Sequence, residues 1–334
     1  MKSLLRSLVL LILIASLQAQ NNLPKYSVLK TEYGDAYLAS LNQLADQGYR
    51  VLAVGKYTIL RLEATPPDTY RYVRLERKNG PAQFTNWLNE QGARGYRWLS
   101  LTGLLEKAPH PRNYEYRTSR HGALGPSKGS ELSSMVEDGY RPGRPVFFSQ
   151  YGMHTQEMYF EREVRQLAGA APQASSATVE VADAMRADHV MKRVDELAQQ
   201  GYRFLGPYQS KKGGGMAVMM GKCLEDCAGR YQYRHFDAKD AVQVERDLNA
   251  LGKDGFRVLP AALGERPHLL ERDTHEKLTF SYRALEPSDA ANLQQSLSSA
   301  DQEGYTLLNF VWHTGWSARG FLVIEKAATA SPTP

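Results

Sequence analysis

Apolar positions in this chain recur on a helical period that ends the same way each time. A glycine followed by an aromatic stands at Gly48-Tyr49, Gly95-Tyr96, Gly139-Tyr140, Gly201-Tyr202, Gly255-Phe256 and Gly304-Tyr305, at steps of 47, 44, 62, 54 and 49 residues. Seven residues before each glycine stands an aliphatic side chain: Leu41, Leu88, Leu132, Val194, Leu248 or Leu297. Four before it stand Leu44, Gln91, Met135, Leu197, Leu251 and Ala300, and eleven before it Tyr37, Phe84, Lys128, Val190, Val244 and Leu293. Offsets of three, four and seven lie on one helical face, so the pattern predicts six amphipathic helices. A helix that ends in the left-handed conformation needs glycine there, because a side chain is strained, and the aromatic that follows folds back on the last turn. The six glycines are therefore read as structural helix caps.

Each cap is followed by a strand-like run, from RVLAV at Arg50 to TLLNFVW at Thr306, with RVLPAAL at Arg257 as the fifth. A turn and a second apolar run come next, such as YTILRLE from Tyr57, MAVMMG from Met216 and FLVIEK from Phe321. Two such runs joined by a short connection read as a hairpin. Ahead of each helix lies one more candidate strand, among them YRYVRLE from Tyr70, NYEYR from Asn113 and RYQYRHF from Arg230. The unit is strand, helix, strand, strand, and the predicted class is α+β: six tandem β-α-β-β modules, each one helix on a small, mostly antiparallel sheet. A lone module of this size would be marginal, so neighbours are expected to share sheets or cores.

The longest step contains AGAAPQASSA, a small-residue stretch of linker type. It divides the chain into three modules over 20–165, a linker over 166–177, three modules over 178–327 and a disordered Ala/Ser/Pro/Thr tail over 328–334. Residues 1–19 have the layout of a secretory signal peptide: Lys2 and Arg6, an apolar run from Leu8 to Leu17, and a cut expected after Ala19. The run is shorter than the roughly 20 residues that span a bilayer, so no membrane span is expected in the mature chain, and a periplasmic or secreted location is. Without Lys2 and Arg6 the formal charge falls from +5 to +3, a weakly basic balance that points to no particular partner.

Cys223 and Cys227 are the only cysteines. In an oxidising compartment such a pair more often forms a local disulfide than binds metal. With His235 they offer three potential zinc ligands, but no fourth is evident, and neither metal nor cofactor is expected. Residues repeated at one offset in six modules are read as packing, so functional candidates are those that break the repeat. They include the Gly-rich KKGGGM from Lys211 to Met216, which reads as a hairpin tip and lacks the Walker and dinucleotide patterns. Trp312, His313 and Trp316, in the last hairpin, are ligand-binding candidates of the kind that grips sugars or peptides, or else rings that close the end of a sheet. His110, His121, His154, His268 and His275 lie in no recognised nucleophile or metal context. Tyr70 and Tyr72, like Tyr231 and Tyr233, share one strand face where bases could stack; with so little net charge, no nucleic-acid partner is expected.

The segments LNEQGARGYRWLS from Leu88 and LNALGKDGFRVL from Leu248, with LNQLADQGYRVLAV from Leu41 close behind, resemble a small bacterial family, the domain of unknown function 4177. The likeness covers about half of each module and is poorest around Gly139. Tyr or Phe replaces the family's usual Trp after the glycine, and Arg50, Arg97, Arg141, Arg203 and Arg257 stand where that family tends to have Glu, with Thr306 in the sixth copy. The resemblance implies the fold and brings no activity. The expected function is that of an exported, non-catalytic repeat protein binding another protein or a cell-envelope polymer. The alternative is a secreted hydrolase-like enzyme with its site between the two halves.

Overall fold

The protein is described by a computed structural model covering residues 23–32, 34–63, 66, 68–76, 78–99, 103–120, 126–150, 153–164, 178–184, 186–209, 216–223, 227–236, 240–259, 268–286, 288–313 and 320–329. The expected signal segment and the 166–177 linker lie outside them. The first module is β1 (Tyr26–Lys30), α1 (Asp35–Asp46), β2 (Tyr49–Val54) and β3 (Tyr57–Leu62). The second is β4 (Arg71–Arg74), α2 (Pro81–Ala93), β5 (Tyr96–Leu99) and β6 (Leu104–Lys107), and the third β7 (Asn113–Arg120), α3 (Pro126–Glu137), β8 (Arg141–Gln150) and β9 (Met153–Val164). The fourth is β10 (Val179–Ala184), α4 (Ala187–Gln199), β11 (Tyr202–Gln209) and β12 (Met216–Lys222), and the fifth β13 (Tyr231–Phe236), α5 (Ala241–Lys253), β14 (Arg257–Val258) and β15 (His268–Asp273). The sixth is β16 (Leu278–Leu285), α6 (Ala290–Gln302), β17 (Thr306–His313) and β18 (Gly320–Thr329). The class is α+β, with one helix to each of six separate three-stranded sheets. Two boundaries differ from expectation. The fifth module's second strand is described over two residues only, and the last strand runs to Thr329, paired with Leu278, where the tail was expected from 328.

The helices end as their spacing requires. Gly48, Gly95, Gly139, Gly201, Gly255 and Gly304 all have φ between 81° and 97°, and Tyr140, Phe256 and Tyr305 send their N–H groups back to the carbonyls of Met135, Leu251 and Ala300. Leu41, Leu88, Leu132, Val194, Leu248 and Leu297 are all buried, none more than 2% exposed.

Every sheet has the same order, with the third strand between the first and second and antiparallel to both. A central strand buried on both faces must be apolar at successive positions, not alternate ones. The third strands are: Ile59-Leu60, Leu104-Leu105, Met219-Met220, Leu269-Leu270 and Val323-Ile324 are all buried. Their two faces serve different cores. Leu104 joins a cluster with Leu41, Ala45 and Tyr49 of the preceding module, while Leu105 packs with Phe84, Trp87 and Leu88 of its own helix and Tyr116 and Tyr159 of the next module. Leu269 and Leu270 divide in the same way.

Each helix thus packs on its own sheet and on the first strand of the next module. The pattern does not stop at the sixth, because Leu293, Leu297 and Ala300 of α6 pack with Tyr26 and Val28 of β1 and Ile59 of β3. Lys25 reaches Asp301 at 2.6 Å, and the Tyr57 hydroxyl donates to Ser288 O. The six modules close into a ring, and a closed array needs no polar capping repeat at either end. Cores are shared between neighbours and sheets are not. The third and fourth modules pack like the rest, through Leu132, Met135 and Phe160 against Val179, Ala217 and Met219, so the packing is continuous across the linker.

How closely a helix meets the next strand depends on the residue three before the cap. At Gly92 and Gly252 a Cβ would lie 2.1 Å from Tyr114 O and 2.2 Å from Phe280 O. Gly252→Ala should therefore destabilise the protein by about 1–3 kcal/mol through overpacking against backbone that cannot yield. Gly139→Ala, with positive φ but no atom within 4 Å, should cost only the left-handed strain of about 1–2 kcal/mol. Urea unfolding of both variants checks the difference: Gly252→Ala should also loosen the fifth-to-sixth junction in hydrogen exchange, and Gly139→Ala should not.

Candidate functional site

The side chains that most resemble chemistry are buried Tyr and buried or partly buried Glu beside half-exposed Arg, and they recur at four junctions. At the first, the Tyr72 hydroxyl on β4 donates to Glu106 Oε2 on β6 at 3.0 Å. It also accepts the Val51 N–H of the preceding module's β2 at 2.8 Å. Arg50, one residue before Val51, reaches the same carboxylate, Nη2 to Oε1 3.0 Å, and its guanidinium lies over the Tyr70 ring. Tyr116, Glu161, Arg97 and Tyr114 repeat this set at the second-to-third junction. Tyr233, Glu271, Arg203 and Tyr231 do so at the fourth-to-fifth, and Tyr282, Glu325, Arg257 and Phe280 at the fifth-to-sixth.

A further member stands on the helix. The Asn42 amide accepts the Tyr72 N–H at 2.9 Å and donates to the Tyr72 carbonyl at 3.0 Å, as one residue of an added strand would. Asn89 does the same to Tyr116, and Asn249 to Tyr282. The amide occupies backbone groups on the open edge of the first strand, which would otherwise be a template for wrong pairing. The fourth helix has Asp195 at this place, where burial pushes the carboxyl up and Arg234 opposes it.

Electrostatics make these sets clasps. Burial raises the Tyr72, Tyr116, Tyr233 and Tyr282 hydroxyls well above the ordinary phenol range, and the neighbouring carboxylate adds to it, so they remain neutral donors. Burial opposes the charge on Arg50 and Arg97, but Glu106 and Glu161 outweigh it and hold both firmly protonated. Burial also raises the Glu325 carboxyl, with Arg257 and Tyr282 offsetting part of the rise. Each tyrosyl proton is committed to a carboxylate that an arginine already neutralises.

The clasps were not foreseen as a network. The arginines and the paired strand tyrosines were visible, and the second tyrosine of each pair is buried at a junction, which closes its ring face to a stacked base. The missed signals were an Asn directly after the core Leu at Asn42, Asn89 and Asn249, and a Glu ending the apolar third strand at Glu106, Glu161, Glu271 and Glu325. Cys223 and Cys227 are joined by a disulfide, which removes both sulfurs from metal chemistry. Among the described residues no group of three or more His, Cys, Asp and Glu could hold a metal, and no helix is long and apolar enough to cross a membrane. His110 and His275 are exposed, while the side chains of His121, His154 and His268 lie outside the description. Trp312 and His313 are in β17, their backbones paired with Phe321 and Gly320; their side chains, the whole of Trp316 and residues 211–215 lie outside the described set.

Every module has the same strand order, so equivalent strand ends flank a β2–β3-type connection in all six. The connections there run from two residues, 55–56, to nine, 259–267. The Gly-rich segment after Gln209 and the segment after His313 are two of them. No family model matches this chain, and neither does any curated protein.

Tyr233→Phe should cost about 1–3 kcal/mol, because it leaves the Phe204 N–H and one Glu271 oxygen without their buried partner; thermal unfolding would show it, and an unchanged midpoint would contradict the clasp. Because Glu325 holds its proton more tightly folded than unfolded, its stabilising contribution is full below the ordinary carboxylate range and is lost as pH rises through the raised folded value. Glu325→Gln has no such titration. Its stability relative to the parent should improve as pH rises from mildly acidic to neutral, and a flat difference in urea midpoints would show that the carboxyl is not shifted.

Proposed function

We propose that this is an exported, non-catalytic ring that binds another protein or a cell-envelope polymer through the rim carrying its hairpin ends. The observation that carries this reading is a division of labour within the repeat. The Tyr, Glu, Arg and Asn side chains that recur are used to hold modules together, whereas the hairpin connections vary from two residues to nine and differ in composition. Variable connections on a constant scaffold are where binding residues concentrate. Lys211 and Lys212 in one connection and Trp316 in another are residue types that such recognition uses.

Export is supported by the basic-then-apolar start of the chain and by the Cys223–Cys227 disulfide, which suits an oxidising compartment. The resemblance to the domain of unknown function 4177 is consistent with a helix on a three-stranded sheet and adds no activity. The surfaces between the two halves, where the enzyme reading would need its groove, are filled by apolar clusters.

Replacing 210–215 and 314–319 together with Gly/Ser segments of equal length should abolish retention of the full mature chain on isolated cell-wall sacculi, or its crosslinking to an envelope protein in intact cells, with the thermal midpoint unchanged. Retention and crosslinking equal to the parent's would refute the rim as the binding surface.

A further inference from the structure

The clasp is absent from two of the six junctions, third-to-fourth and sixth-to-first, which lie opposite each other in the ring. In the fourth module Val179 and Gly221 hold the paired positions that elsewhere carry Tyr and Glu, and in the first module Tyr26 and Arg61 do. Thr306 stands in the sixth module where an arginine would meet Arg61, and Arg61 bonds Glu63 of its own sheet instead. These two seams are held by apolar clusters and by direct approach of second strands, β8 to β11 and β17 to β2. Across the first seam a Cβ on Gly206 would lie 2.5 Å from Pro142 Cγ, and the three nearest atoms all belong to Pro142. Polar contacts across the seams, among the described residues, include Val179 N–H to Ser133 Oγ at 2.9 Å at the first and, at the second, the Tyr57 hydroxyl to Ser288 O and the exposed Lys25–Asp301 pair.

The halves on either side repeat each other in order. Three residues before the cap, the first and fourth helices have Ala45 and Ala198, and the second and fifth have Gly92 and Gly252. The third and sixth share Leu-Ser-Ser, at 132–134 and 297–299. Asn, Asp and close helix approach thus belong to junctions within a half, and the Leu-Ser-Ser helices face the seams.

We propose that the ring is two three-module half-rings, 20–165 and 178–329, docked noncovalently across these two seams, each half being the partner that the other's seam surfaces fit. The seam clusters are apolar, and the first is rich in methionine (Met135, Met158, Met219), the most adaptable of core side chains. Among the described residues they contain no buried ion pair, whose desolvation would have to be matched in register. Two seams related by a pseudo-two-fold axis close the assembly, as in a cyclic dimer, and the linker raises the effective concentration of each half for the other. The inference stands apart from what the rim binds.

The test is the full mature chain with a protease site placed in 166–177, compared with one carrying the site in 108–112, between the clasped second and third modules. After cleavage the first should run as one particle in native mass spectrometry and, in urea too dilute to unfold it, release two folded fragments. The second should release fragments only as it unfolds. Gly206→Ala, which touches only the seam, should weaken association of the linker-cut halves by about tenfold or more and leave the circular dichroism of the released fragments unchanged. Identical behaviour of the two cut chains, fragments that unfold as they part, or undiminished association with Gly206→Ala would each overturn the proposal.

Discussion

The constraint on which the rest depends is the burial of every third strand on both faces. Because it is central in its sheet, it cannot alternate apolar and polar positions, and each of its faces must find a different apolar cover. One cover is the module's own helix together with the following sheet; the other is the helix of the preceding module. A module alone would leave one face of Leu104-Leu105 or Val323-Ile324 in water, so modules must stack, and a stack has two raw ends. Closing the ring removes both, which is how Tyr26 and Val28 of the first strand come to cover α6.

Apolar stacking alone would leave the register loose, and the clasps remove that freedom. A tyrosyl hydroxyl that must meet a carboxylate in its own sheet and a backbone N–H in the preceding one admits one alignment, since a slip of one residue would turn the ring to the opposite face. Glu106 and Glu271 are nearly inaccessible to water, so each is held only because an arginine and a tyrosine meet it together. The same ion pairs explain why Arg stands after the cap in most copies: it answers a glutamate that the next module supplies, and where that glutamate is replaced by Arg61 the arginine is replaced by Thr306.

For function, the polar network and the proposed binding surface are separate features. Residues that in a single-copy protein would suggest acid-base chemistry are used here four times over as fasteners. What differs between copies is the hairpin connections, and the two unclasped seams give the ring a two-fold character on top of its six-fold plan.

Much of the local architecture was legible in the chain. Glycine-aromatic pairs determined six helix ends, because only glycine relaxes in that conformation, and the offsets of seven and four determined which helical face is buried. The apolar doublets determined the third strands. The clasps were less visible, since Asn42 and Glu106 are 64 residues apart and are related only through Tyr72. Strand order, the assignment of Leu104 and Leu105 to different cores, and ring closure were decided by tertiary structure. Each depends on which module faces which, and that is settled by packing between surfaces far apart in the chain, where no short-range periodicity reaches.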